Sequence, residues 1–245
     1  MTRESVVIQT IVQIADNLVD DYDLIDVLTV LVQRCTETIG VDAAGVMLAT
    51  PGGDLQFIAS SSESMRVLEL FQIQAAEGPC VDCVRSGTPI VNRALTEDDT
   101  RWPRFSPRAM TQGFRAVHCL PMRLRGTTIG ALNLFRTHEG PLGSDDIVVA
   151  QGLADVATIA ILQHQTSLSA GLLNSQLTNA LNSRVIIEQA KGMIRQALSC
   201  EMSEAFDLLR TFSRDHNEKL TGVATRVVEG ELTPDELRVR PRPRH

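Results

Sequence analysis

Apolar residues recur every three or four positions from Leu24 to Ile39, at Leu24, Val27, Leu28, Leu31 and Cys35. That spacing predicts one face of a helix, which Gly40 stops. Ala44 to Leu48 and Leu55 to Ala59 follow as apolar runs joined by Pro51-Gly52-Gly53-Asp54, a β-hairpin by its turn chemistry. The stretch from Glu63 to Pro107 reads as irregular, with a helix at Val67 to Ile73 and another starting at Pro79. Two strands return at Phe114 to Met122 and Thr128 to Phe135, separated by Arg123-Leu124-Arg125-Gly126. Ser144, followed by Asp145 and Asp146, reads as the cap of a helix with acidic residues where its dipole favours them. That helix has no strong breaker until Ser169-Ala170-Gly171.

Beyond Leu172 the pattern is purely helical. Leu173, Leu177, Ala180, Leu181, Val185, Ala190, Met193, Ile194 and Ala197 repeat at helical spacing, and Ser203 is placed to cap a helix holding Phe206, Leu209 and Phe212. Leu220, Val223, Ala224, Val227 and Val228 carry a third helix, and Thr233-Pro234-Asp235-Glu236 reads as a capping box opening a short last one. The expected fold class is therefore α+β. An antiparallel sheet flanked by helices occupies 1–165, an all-α connector and three-helix module occupies 166–230, and a Pro/Arg tail occupies 231–245. A helical unit of this size buries little by itself, so it is expected to share its core with a second copy of the chain.

Composition narrows the function. The chain has 245 residues, 43% of them hydrophobic and 22% charged, with a net charge of −7, which speaks against coating nucleic acid by bulk attraction. The charge is uneven: residues 1–175 carry a net −8, 176–230 are neutral, and both lysines, Lys191 and Lys219, lie in the neutral segment. Any nucleic-acid contact must be local. The most apolar stretch, Ile147 to Leu162, is interrupted by Gln151 and Asp155 and is short for a bilayer span, and the N-terminus lacks the continuous apolar run of a signal peptide. Five cysteines, an odd number, fit a reducing compartment, so a cytoplasmic protein with no membrane partner is expected.

Asn182-Ser183-Arg184-Val185-Ile186-Ile187-Glu188-Gln189-Ala190-Lys191-Gly192-Met193, then Ser203-Glu204-Ala205-Phe206-Asp207-Leu208-Leu209-Arg210, then Val223-Ala224-Thr225-Arg226-Val227-Val228 resembles an ANTAR domain over roughly 172–230. The segment about 20–165 resembles a GAF sensor domain, at Glu77-Gly78-Pro79-Cys80, Arg101-Trp102-Pro103-Arg104-Phe105, Gly113-Phe114-Arg115-Ala116-Val117 and Gly130-Ala131-Leu132-Asn133-Leu134. The ANTAR resemblance implies a bacterial transcription antiterminator in which a dimer binds a pair of short RNA hairpins. The GAF resemblance implies an input domain with a possible small-molecule effector of unspecified identity, and no cofactor is indicated.

The residues can be weighed beside that implication. Hairpin loops are read through phosphate contacts and shape, which asks for a few cations on a rigid surface. Arg184, Lys191 and Arg195 share a stripe of the first helix, Arg210 and Arg214 are an i, i+4 pair on the second, and Lys219 and Arg226 flank the third. The RNA-binding candidates are Arg184, Lys191, Gly192, Arg210 and Arg214. Gly192 costs roughly 1 kcal/mol inside a helix, which points to close approach of another helix or of RNA, with a local kink as the plain alternative. The plain alternative for the cations is i, i+4 pairing, Glu188 with Arg184 or Lys191 and Asp207 with Arg210, at ~0.2–0.5 kcal/mol each.

For the sensor, a ligand pocket is expected between the sheet and the 63–110 region, near Phe71, Cys80, Trp102, Phe105 and His118, residues equally explained as core. Gly78-Pro79 places Cys80 in the first turn of a helix, with Cys83 one turn on. A redox pair or half a metal site stands there against the default of buried structural cysteines. His118 and Cys119 are neighbours on a strand and point to opposite faces, so they do not form a base and nucleophile. No phosphate loop, zinc-protease motif or triad signature is present, and neither catalysis nor a metal site is expected. The alternative to an RNA-binding regulator is a small-molecule or redox sensor whose C-terminal helices serve dimerisation or protein docking only.

Overall fold

The computed structural model describes residues 3–16, 24–50, 52–124, 126–167, 173–216 and 218–238. The elements run α1 (Arg3–Asp16), α2 (Leu24–Thr38), β1 (Ala43–Ala49), β2 (Leu55–Ser60), α3 (Glu63–Ala75), α4 (Pro79–Ser86), β3 (Ile90–Ala94), α5 (Phe105–Thr111), β4 (Ala116–Leu124), β5 (Thr127–Arg136), α6 (Ser144–Ser167), α7 (Leu173–Leu198), α8 (Met202–His216) and α9 (Leu220–Val228). Contacts divide them into two compact units. One comprises Met1–Asp21 and Val27–Asn174, the other Tyr22–Asp26 and Ser175–His245.

The first unit is built on a five-stranded antiparallel sheet of order β2-β1-β5-β4-β3. The stretch expected to be irregular is more ordered than its pattern indicates, since it holds β3 and α5 besides the two expected helices. Strand alternation sends Ala43 and Met47, Val117 and Cys119, and Ala131 and Phe135 to one face, where they meet Met65, Leu68, Cys80, Cys83, Trp102, Phe105 and Ala109. His118 and Leu120 point to the other face, where α6 lies against β4. Both faces are covered, which is why β1 is buried along almost its whole length.

Close packing at the sheet centre depends on Gly130. A β-carbon there would collide with the Met47 carbonyl oxygen of the neighbouring strand. At the entry to α4, Gly78 caps the helix at φ 138° with Pro79 in the first turn, and Gly87 closes it at φ 64°.

The second unit folds α7, α8 and α9 around Ile187, Ala190, Ile194, Ala205, Phe206, Leu209, Phe212, Leu220, Val223, Ala224 and Val227. Helix α8 starts at Met202, so Ser203 lies inside its first turn and not at the cap. Half of the capping box forms: the Glu236 carboxylate accepts from Thr233 N and Thr233 Oγ1, both at 2.7 Å, while Glu236 N donates to the Thr233 carbonyl and not to its hydroxyl. It opens a single 3-10 turn, Glu236–Arg238. The expected Pro/Arg tail falls partly outside the described residues, as does the Ser169-Ala170-Gly171 breaker.

Candidate functional site

Two places carry chemistry, one in each unit. In the first, α3 turns a polar pair, Glu69 and Gln72, toward the sheet from the same face as Met65 and Leu68. Glycine makes the room: a β-carbon on Gly45 would stand 2.7 Å from Glu69 Oε1, and one on Gly78 would strike the Gln72 amide. Glu69 Oε1 accepts from Asn133 Nδ2 at 2.7 Å, and Glu69 Oε2 accepts from Gln72 Nε2 at 3.0 Å. Gln72 Oε1 in turn accepts from Cys80 N at 3.0 Å, tying the network to the first turn of α4.

Burial pushes the Glu69 carboxyl up to about 8, against the pull of its two amide donors, so it is protonated at neutral pH. Asn133 Oδ1 has no hydrogen-bond partner among the described residues. Turning that amide over would give the Glu69 proton an acceptor.

Three thiols adjoin this network. Cys80 and Cys83 on α4 and Cys119 on β4 are fully buried and unpaired by disulfides. Cys83 Sγ donates to Cys119 O at 3.6 Å, and both α4 thiols lie near enough to the Cys119 thiol to push it up. Burial pushes the Cys80 and Cys119 thiols up.

Of the expected pocket residues, Cys80, Trp102 and Phe105 sit together in this core, with Phe71 packed against it. His118 does not join them. Period-two alternation puts it through the sheet on the α6 face, where Nδ1 accepts from Asn92 N at 2.9 Å. Burial, and then the nearby Arg136 charge, pull the His118 imidazole down to about 4. Trp102 is held in place by its surroundings: Nε1 donates to Asp82 at 3.1 Å and the ring meets Phe105 edge-on at 6.2 Å. Glu77 caps α5 by accepting from Arg104 N and Phe105 N, at 2.7 and 2.9 Å.

Glu69, Gln72, Asn133 and Cys119 are absent from the sequence-derived pocket. Their signal is a polar or thiol group at a core-facing position, two on the apolar stripe of α3 and two at inward register on the strands. Among the described residues, no group of three or more His, Cys, Asp or Glu is arranged to hold a metal ion.

In the second unit the cations are mostly engaged. Lys191 Nζ lies 2.8 Å from Glu188 Oε1 and 5.7 Å from the Phe206 ring centroid, its side chain only 16% exposed. Arg210 is equally covered and pairs at 2.9 Å with Asp26. Burial, ahead of the Asp26 charge that opposes it, pulls the Arg210 guanidinium down. Arg214 reaches Asp26 at 3.9 Å and stays 49% exposed, and Arg226 pairs with Glu218 at 2.8 Å. Arg195 is exposed, and Arg184 lies on α7 at a position whose side chain is outside the described residues. Gly192 is exposed on α7, and among the described residues nothing lies within 4 Å of where a β-carbon would stand.

Residues 21–162 match the GAF domain family and residues 175–228 the ANTAR domain family. The chain belongs to the GAF family and carries an ANTAR domain. The GAF match alone covers more than half of the chain. No curated protein matches in a comparison of sequences.

Solved GAF structures share the fold. The GAF domain of a phosphoenolpyruvate-protein phosphotransferase from Acinetobacter superposes at a TM-score of 0.53 with 13% identity, over 70% of this chain and 99% of that one. The corresponding domain from Coxiella burnetii gives 0.53 with 15% identity, over 66% and 95%. A free methionine-R-sulfoxide reductase from Neisseria meningitidis, solved with its substrate, gives 0.52 with 15% identity, over 69% and 95%. The same fold occurs in proteins of different activity, so function rests on the residues placed in it. GAF and ANTAR together make a regulatory architecture, and no helix among the described residues is long and apolar enough to cross a membrane.

Proposed function

We propose that the protein is a signal-responsive RNA-binding antiterminator, not an enzyme, in which the GAF domain governs dimerisation and hairpin binding by the ANTAR module. The observation that carries this reading is the ANTAR match over 175–228, a segment that lies in a compact helical unit whose core also takes Ile25, Leu232 and Leu237. Arg184, Lys191, Gly192, Arg210 and Arg214 are assigned to the RNA face. Arg214, 49% exposed and 3.9 Å from Asp26, is open to a phosphate, because an exposed pair of that kind is worth ~0–1 kcal/mol and a phosphate can replace a carboxylate.

Dimerisation is supported by apolar side chains in water. Helix α1 exposes Ile8 and Val12 one turn apart, and α6, packed beside it, exposes Val148 and Ile159 three turns apart on one stripe. A second copy of the chain is the assigned partner of that surface.

Val185 and Met193, exposed on α7, favour a second reading in which the C-terminal helices dock a protein. Titration of the full-length protein with a labelled RNA bearing two tandem short-loop hairpins, across a salt series, separates the two. Antitermination predicts saturable binding that needs both hairpins, with Arg214→Ala lowering the salt slope by about one. Absence of saturable binding with reduced and oxidised protein leaves the docking reading.

A further inference from the structure

The thiols of α4 and β4 have no part in RNA recognition, yet their arrangement is unusual for filler. All three share one core, the Cys119 carbonyl accepts from Cys83 Sγ at 3.6 Å, and both α4 thiols act on the Cys119 thiol. Cys80 and Cys83 form a Cys-x-x-Cys pair at the start of α4, where regular helix geometry holds β-carbons ≈ 5–6 Å apart, so a bond between them requires the first turn to distort. The strand thiol offers each of them a second partner.

We propose that Cys119 forms a disulfide with Cys80 or Cys83 when a small hydroperoxide reaches the GAF interior, the third thiol serving to exchange the bond. A thiolate attacks the outer peroxide oxygen; the O–O bond breaks, an alcohol leaves after taking a proton, and the sulfur becomes a sulfenic acid. A second thiol then attacks that sulfur, the S–O bond breaks and water departs. Two thiols give up two electrons and two protons, and the hydroperoxide becomes an alcohol and water.

Access is through α4. This helix has eight residues, is bounded by Gly78 and Gly87 at positive φ, and buries only Pro79, Cys80, Val81 and Cys83. So short an element opens locally at far less cost than the sheet. In the closed interior burial keeps the Cys80 and Cys119 thiols protonated, which sets the reaction behind that opening.

The polar groups hold the helix ready: Gln72 grips Cys80 N from one side, and Arg101 and Trp102 grip Asp82 from the other. Pulling Cys80 or Cys83 onto β4 disturbs both grips, coupling thiol oxidation to the placement of α4. Service of this disulfide as the input to RNA binding rests on the antiterminator reading; its formation does not.

The test is peptide mapping of the full-length folded protein after hydrogen peroxide, without reductant. The expected product has lost two hydrogens and yields a linked peptide pairing Cys119 with Cys80 or Cys83, reversed by dithiothreitol. Cys80→Ser still forms the Cys83 link, and Cys119→Ser forms neither. A link between Cys80 and Cys83 alone, or one confined to Cys35 or Cys200, overturns the proposal, as does retention of all three thiols under conditions that oxidise the urea-unfolded chain. The wild-type map decides the matter even where a serine variant fails to fold. Equal RNA affinity of oxidised and reduced protein removes the disulfide as the input, and RNA binding by neither fails the antiterminator reading while leaving the mass result intact.

Discussion

Glu69 holds a proton that water would remove. Its carboxyl is fully enclosed, and burial lifts it to about 8 from an ordinary 4.5. Between those values the unfolded chain releases the proton and the folded chain keeps it, so the folded state binds more protons and stability falls as pH rises, levelling off above about 8. Each unit is worth about 1.4 kcal/mol, enough for the loss to be a sizeable part of a domain's stability. Glu69→Gln keeps the shape and removes the titration. The expected outcome is that the melting temperature of the variant varies much less between pH 6 and pH 9 than that of the wild type. Equal pH dependence in thermal melts of the two proteins would mean that another group is responsible.

At the scale of elements, α7 carries a glycine with nothing against it. Gly192→Ala removes a helix-interior glycine at an open position and is expected to stabilise the ANTAR unit by up to about 1 kcal/mol, read by thermal melting. If RNA or a second copy packs closely there, the same variant binds RNA more weakly despite being more stable. A variant that is both more stable and fully competent would return Gly192 to mere tolerance.

The elements also show where sequence pattern speaks and where it falls silent. Strands β1, β2, β4 and β5 and helices α2, α7, α8 and α9 are legible because each has one apolar face or an unbroken apolar run between turn residues. Strand β3 is not, since only Ile90 of its five residues is buried and Pro89 precedes it, as suits a sheet edge. Helix α5 hides because Pro107 sits in its first turn, where it is harmless but reads as a breaker. In α1 the exposed Ile8 and Val12 blur the apolar stripe. The candidate sensor site was half legible on the same grounds. Cys80 announces itself beside Gly78-Pro79, whereas Cys119 joins it only through the register of β4, and His118 is carried to the wrong face by that register. The link between helix and strand spans 36 residues for Cys83 and Cys119, a separation that local pattern does not encode.

At the scale of the whole molecule the question is how many copies act together. The exposed pairs Ile8 with Val12 and Val148 with Ile159 are the assigned dimer surface, and Val148 is 70% exposed in the single chain. Val148→Glu places a charge there without touching the core. Sedimentation or light scattering is expected to show the variant shifted toward monomer, with two-hairpin binding weakened in parallel; an unchanged mass would locate the contact elsewhere, with α7 the next surface to change.

The position of Lys191, held between Glu188 and the Phe206 ring, has a consequence for how the molecule can be watched. The chain contains only Lys191 and Lys219, both in the ANTAR unit and unequally covered, Lys219 being exposed. An amine-reactive acylating reagent therefore finds no side-chain amine in the GAF unit. It labels Lys219 readily and Lys191 slowly, so the ratio of the two labels, measured with and without RNA or oxidant, reports on one face of one domain in the intact protein.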